Sequence, residues 1–154
     1  MKYSTRLSDA MHILAFITLQ KDETLTSDRI AESLHTNPAC VRLLMSKMRS
    51  CGIIASVKGH PRPSLTRDPA AITLFEVYRA VEGDKPLLHL DTHTNPACGV
   101  GVNIQLSLAD CFARVQARAE EEMRSITLAD VLEAYRRKIA ALAAGAALRE
   151  MSVL

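Results

Sequence analysis

TSDRIAESLHTNPACVRLLMSKMRSC, from Thr26 to Cys51, decides the fold, because it reads as two short helices broken by a polar turn. Thr26 is an N-cap residue, with Leu25 before it and Ile30 after it spaced as a hydrophobic staple. Ala31 is small where a second helix crosses closely, and the first helix ends near His35. Asn37 supplies the next N-cap. Pro38 follows at the first helical position, where its missing N–H costs nothing. The second helix runs from Pro38 to about Cys51, Gly52 stops it as the residue after the cap, and Ile53-Ile54 begins an extended run.

On the second helix Val41, Leu44, Met45 and Met48 share one face, placed to pack on Ile30 and Leu34. The opposite face carries Ala39, Leu43, Ser46 and Ser50, flanked by Arg42, Lys47 and Arg49. Small and cationic groups in that arrangement fit a major groove, where they reach base edges and phosphates. The pattern is that of a helix-turn-helix with a recognition helix. An ordinary helical hairpin with a solvated basic face is the competing reading, since such patterns are short.

The 154 residues suffice for one domain, or one small domain with an appendage. Hydrophobic residues make up 48%, with three Phe, three Tyr and no Trp, and Ala and Leu dominate, so the chain is mainly α with a minor β element. No apolar run reaches transmembrane length, and Asp9 and His12 interrupt the N-terminal apolar stretch, which makes it a poor signal peptide. A cytoplasmic protein without membrane contact is expected. Net charge is only +2, but Lys and Arg outnumber Asp and Glu by 10 to 5 over residues 1–67 and are outnumbered 9 to 12 over residues 68–154. Between Arg29 and Arg67 seven basic residues face the single acid Glu32, a concentration that suits a polyanion.

Outward from the central stretch, Ser8–Leu19 is apolar almost all round and reads as a buried central helix, with His12 as a partly buried, hydrogen-bonded residue without chemistry. After the recognition helix, Ile53–Val57 and Ser64–Thr66 read as short strands joined by the basic, proline-rich turn at 58–63. That makes a wing whose Lys58, His60 and Arg62 would reach the phosphate backbone or minor groove; a solvated basic loop is the alternative. Thr73 and Glu76 form a capping box, Ile72 and Val77 its staple, and that helix ends at Gly83. Residues 84–101 lack periodicity and are expected as an irregular connection. From about Val102 to Arg124 a long helix carries Ile104, Leu108, Cys111, Val115 and Ala119 in one apolar stripe, with Arg118 and Glu122 spaced to pair on the other side. The stripe has few local partners and reads as a dimerisation surface, or else as packing on the chain's own core. Thr127 caps a last helix through Val131, Leu132, Tyr135 and Ile139, followed by an alanine-rich tail that frays or packs on a partner. The expected division is therefore a DNA-binding unit over 1–83, a loop over 84–101 and a dimerisation unit over 102–154.

With these pieces in order the chain resembles the Rrf-two family of bacterial winged-helix transcriptional regulators, closest to its cluster-free, YwnA-type branch. The resemblance rests on RLSDAMHIL at Arg6–Leu14, LTSDRIAESLHTNPACVR at Leu25–Arg42, ITLFEVYRAVEG at Ile72–Gly83 and CGVGVNIQ at Cys98–Gln105. It implies a winged-helix domain and a homodimer crossed through the long helix. Two departures matter. The family wing carries a Gly-Gly-Tyr-like turn, where this chain has His60-Pro61-Arg62-Pro63-Ser64. Cluster-binding members place three close cysteines before the long helix, where this chain has only Cys98, with Cys111 well inside the helix; no iron–sulfur cluster, metal or other cofactor is expected.

The leading function is a homodimeric, sequence-specific DNA-binding regulator, a repressor, that reads an inverted-repeat operator on double-stranded DNA and responds to a small effector or thiol oxidant. Ser27, Thr36, Asn37, Ala39, Cys40, Arg42, Leu43, Ser46, Lys47, Arg49, Lys58, His60 and Arg62 are the candidate DNA contacts. Cys98 is the candidate sensor because it is the only cysteine in the irregular loop and would gain thiol reactivity if it sat at the start of the long helix, the alternative being a small apolar residue that locks the loop to the core. A winged-helix protein-interaction module without sequence-specific DNA binding is the second reading. A thiol enzyme built on Cys98 with His89 or His93 is disfavoured, because no acid or oxyanion donor completes the geometry.

Overall fold

In the computed structural model, which describes residues 4–20, 25–56 and 62–151 (145–151 as helix backbone), α1 (Arg6–Leu19) is the post on which the N-terminal body is built. Ala10, Met11, Ile13, Leu14 and Ile17 are buried along it. Around it stand α2 (Ser27–Leu34), α3 (Pro38–Ser50), the two-stranded antiparallel sheet of β1 (Ile54–Ser56) and β2 (Pro63–Leu65), and α4 (Leu74–Glu82). The core unites Ile13 and Leu14 of α1, Ile30 of α2, Val41 and Met48 of α3, and Val77 and Val81 of α4. Removing each such side chain from water is worth roughly 1.5–3 kcal/mol. His12 departs from its expected burial: it is exposed, hydrogen bonded to Ser33 Oγ at 3.0 Å and stacked on Phe16.

The helix ends follow from local chemistry. Thr26 Oγ1 accepts from the Arg29 N–H, and Leu25 and Ile30 are both buried as the staple that sets the entry angle of α2. His35, at φ 48°, closes α2 in the left-handed region, and the Thr36 N–H returns to the Ala31 carbonyl. Asn37 Oδ1 accepts from the Ala39 N–H at 2.8 Å to open α3. At its far end Gly52 takes φ +70°, which lets the Ile53 N–H reach the Met48 carbonyl before the chain turns into β1. Ile54 pairs with Leu65, Ala55 with Ser64 and Ser56 with Pro63. Pro63 lacks a ladder N–H and is tolerated because this sheet has only edge strands. A short 3-10 turn at Pro69–Ala71, capped by Asp68, leads to the full capping box of Thr73 and Glu76 on α4.

Two long helices complete the chain, α5 (Gly99–Ser125) and α6 (Leu128–Met151). α5 begins three residues before the expected Val102. Cys98 caps it, its Sγ accepting from the Gly101 N–H at 3.4 Å, so Gly99 and Gly101 lie in the first turn. α5 packs on α4, and Arg124 lies 3.7 Å above the Phe75 ring. Arg118 pairs with Glu121 at 2.6 Å and not with the expected Glu122, which at spacings of four and three continues the line of Val115 and Ala119 instead of lying opposite the stripe. The Leu74 N–H donates to the Ile126 carbonyl and the Leu128 N–H to the Ile72 carbonyl, both at 2.8 Å, which stitches the start of α4 to the α5–α6 junction. Leu128 and Leu132 then enter the N-terminal core, and α6 touches α1. The last helix of the 102–154 stretch is thus rooted in the same core as α1 to α4.

Candidate nucleic-acid interface

The core fixes which side of α3 is free. Val41, Leu44, Met45 and Met48 are buried, so Ala39, Leu43, Ser46 and Ser50 face outward, and Leu43 is 54% exposed at the centre of that face. An exposed leucine among small residues gives a surface that a base edge or a thymine methyl group can approach. Arg42 and Arg49, two helical turns apart, share one flank. Arg42 is exposed and its Nη1 donates to Ser27 Oγ at 3.2 Å, so the first residue of α2 holds a cation of α3 over the same surface. The Arg49 guanidinium is exposed and has no partner among the described residues. At the N-terminal end Asn37, Ala39 and Cys40 are exposed, while Thr36 is half-buried in the turn.

Two cations behave differently from the sequence expectation. Lys47 lies on the other flank of α3, half-buried, and its Nζ donates to the Val81 carbonyl in the last turn of α4 at 2.8 Å. A cation there satisfies an orphan carbonyl and meets the negative end of the α4 dipole. Arg62 is half-buried at the root of the wing, and its Nη2 donates to the carbonyl of Gln20, the C-cap of α1, at 2.8 Å. Each side chain ties its element to the end of a neighbouring helix. Basic count alone could not reveal this; the helical period does place Lys47 on the flank away from Arg42 and Arg49. Lys58 and His60 lie outside the described residues. Ser50 belongs to the exposed face too, its Oγ donating to the Ser46 carbonyl.

The second half holds the loop after α4, Cys98 and the apolar stripe of α5. The loop after α4 opens with Gly83 at φ +72°. Tyr78 donates its hydroxyl to the Lys85 carbonyl at 2.6 Å, and the Leu87 N–H donates to Gln116 Oε1 on α5 at 2.9 Å. Gln116 in turn donates to Glu120, whose carboxyl is held below its ordinary range by that bond and by Arg124. Cys98 is exposed rather than locked into the core. Along α5 no residue is buried: Ile104 is 49% and Val115 50% exposed, Cys111 is exposed, and Leu108 and Ala119 are half-buried. The apolar stripe is real and largely uncovered. Among the described residues no three His, Cys, Asp or Glu side chains gather where a metal ion could be held. None of the described helices is long and apolar enough to cross a membrane.

Comparison with known proteins gives the same reading. Residues 3–134 match the Rrf2 family, described as iron-dependent transcriptional regulators. The chain is 42% identical over 129 residues to the candidate HTH-type transcriptional regulator YwnA of Bacillus subtilis (strain 168), covering 84% of this chain and 96% of YwnA. The crystal structure of a candidate DNA-binding protein superposes with a TM-score of 0.67 at 41% identity, over 82% of this chain and 98% of that one. The Bacillus subtilis global cysteine regulator CymR shares the fold, with a TM-score of 0.62 at 21% identity over 86% of this chain and 97% of CymR. A winged helix with an exposed, cation-flanked recognition helix, matched over most of its length by these proteins, makes the chain a transcriptional regulator that belongs to the Rrf2 family.

Proposed function

We propose that the protein is a homodimeric, cytoplasmic repressor that reads an inverted repeat in double-stranded DNA through α3 and works without an iron–sulfur cluster. The observation that carries this is the free face of α3, where Leu43 stands exposed between small residues and Arg42 and Arg49 line one flank. Base reading falls to Ala39, Cys40, Leu43, Ser46 and one or both arginines, and backbone positioning to Ser27, Thr36 and Asn37 near the helix N-termini. Lys58 and His60 of the wing tip would add phosphate contacts. Lys47 and Arg62 act indirectly, by holding α3 and the wing to the ends of α4 and α1.

The uncovered stripe Ile104, Leu108, Cys111, Val115 and Ala119 supports a dimer, since a helix with so much exposed apolar surface is an association site. A two-fold protein reads a two-fold operator, with its recognition helices about one turn of DNA apart or a multiple of it. The exposed Cys98 at the start of α5 is the site for an oxidant, and the hydrogen bonds from the loop to Tyr78 and Gln116 link that region to α4 and α5. Fluorescence anisotropy on genomic DNA fragments tests the reading. Saturable binding that weakens steeply with salt supports it, and no binding at low salt favours a protein-docking module.

A further inference from the structure

The family match ends at residue 134, yet α6 runs on without a break to Met151. Its apolar residues keep one spacing across that limit: Leu128, Leu132, Tyr135, Ile139 and Leu142 follow at four, three, four and three, the repeat of a two-helix seam. Leu128 and Leu132 are 0% and 2% exposed in the chain's own core, whereas Tyr135, Ile139 and Leu142 are 49%, 48% and 70% exposed. The seam starts inside the body and continues past it, about half exposed or more from Tyr135 on. An exposed apolar line that continues a buried one on the same helix is a surface for association.

Charge indicates what covers it. Arg136 and Lys138 flank the seam on either side, exposed and with no carboxylate partner among the described residues; Arg137 leans on Glu133 of its own helix. Arg136-Arg137-Lys138 is the one run of three bases in the sequence, and Glu120-Glu121-Glu122 on α5 is the one run of three acids. Glu120 and Glu121 are paired within α5, to Arg124 and Arg118, but the exposed Glu122 carboxylate has no partner among the described residues. Glu122 also continues the line of Val115 and Ala119, beside an open groove over Val115, Arg118, Ala119 and Glu121. Within one chain α6 leaves the Ile126–Thr127 turn without packing along α5, and no hydrogen bond or ion pair joins the two runs among the described residues.

We propose that the part of α6 beyond the family match, carrying Tyr135, Ile139 and Leu142, forms a dimer clamp. The exposed seam of α6 packs on α5 of a second copy, with Arg136 and Lys138 around the second copy's unpaired acidic position, Glu122. This rests on the homodimer reading above and adds to it a contact made by residues after the family match. Sedimentation equilibrium on the full-length protein tests it, with far-ultraviolet circular dichroism to confirm folding, since every altered side chain is exposed. Ile139→Glu with Leu142→Glu should weaken association about tenfold, and Arg136→Glu with Lys138→Glu about fivefold at low salt. Adding Glu122→Lys to the second variant should recover the loss. Association unchanged in both variants overturns the clamp while leaving the α5 dimer standing, and a charge-reversal loss that Glu122→Lys does not recover overturns its placement on α5. A wild-type monomer removes the dimer reading and the clamp together.

Discussion

Lys47 Nζ sits 2.8 Å from the carbonyl oxygen of Val81, which makes a cation of the recognition helix the clamp on the last turn of α4. Its consequence for binding is specific. A lysine on a phosphate raises affinity for every sequence and steepens the salt dependence, whereas a lysine that orients the helix changes affinity without releasing counterions. Lys47→Met should therefore weaken DNA binding several-fold with an unchanged salt slope and cost about 1 kcal/mol of stability. A slope flatter by about one unit would instead place Lys47 on the phosphates.

Arg42→Ala and Arg49→Ala should leave fold and dimer intact, since both guanidinium groups are on the exposed flank of α3. Each loss should either cost about 1–3 kcal/mol with relaxed preference at one base pair, or flatten the salt slope by about one unit. Salt-dependent anisotropy on a bound fragment separates the two. Unchanged binding in both variants would remove α3 from the interface.

Much of this surface was legible in the sequence, because caps and helical period are local signals. Thr26, Asn37 and the Thr73–Glu76 box mark helix starts through hydrogen bonds to nearby N–H groups, and each stands where the pattern puts it. The start of α5 was not legible. Gly99 and Gly101 read as breakers, yet in a first turn glycine costs only about 1 kcal/mol and the Cys98 cap offsets part of it. The bonds of Lys47 and Arg62 were not legible for another reason: the carbonyls they hold, Val81 and Gln20, are far away in sequence, and only the packing of α3 on α4 and of the wing on α1 brings them near.

Leu108→Glu or Val115→Glu places a charge in the uncovered stripe of α5 and should dissociate the dimer, because a carboxylate in a desolvated helix pair lacks a partner. Light scattering at micromolar concentration reads the outcome directly. A wild-type monomer under those conditions would contradict the dimer.

Acid should destabilise the junction of α4, α5 and α6. Burial pushes the Glu76 carboxyl up, but the Thr73 N–H, Arg67 and the Thr73 hydroxyl together hold it below the usual range. The Thr127 hydroxyl and N–H do the same for Asp130. A depressed carboxyl pKa stabilises the fold above the unfolded value, about 4, and that stability disappears as pH falls through the folded value. The melting temperature should be level above about pH 5 and drop below about pH 4. Glu76→Gln with Asp130→Asn should melt lower at neutral pH and lose less on acidification; an acid loss as steep as wild type would contradict this assignment.

Any oxidant effect on DNA binding should pass through Cys98, the one cysteine in the segment between α4 and α5. Cys98→Ser keeps an oxygen able to cap α5, so fold and DNA affinity should persist while oxidant sensitivity is lost. A serine variant as sensitive as wild type would move the sensor elsewhere. The purified protein should also be colourless when prepared without oxygen.

Selection of bound DNA from a random pool tests the central claim most directly. The account predicts recovery of an inverted repeat whose half-sites are centred about one helical turn apart, or a multiple of it, with enrichment lost in the Arg42→Ala, Arg49→Ala double variant. Recovery of no enriched sequence, or of the same sequence by the double variant, would contradict a dimer that reads its operator through α3.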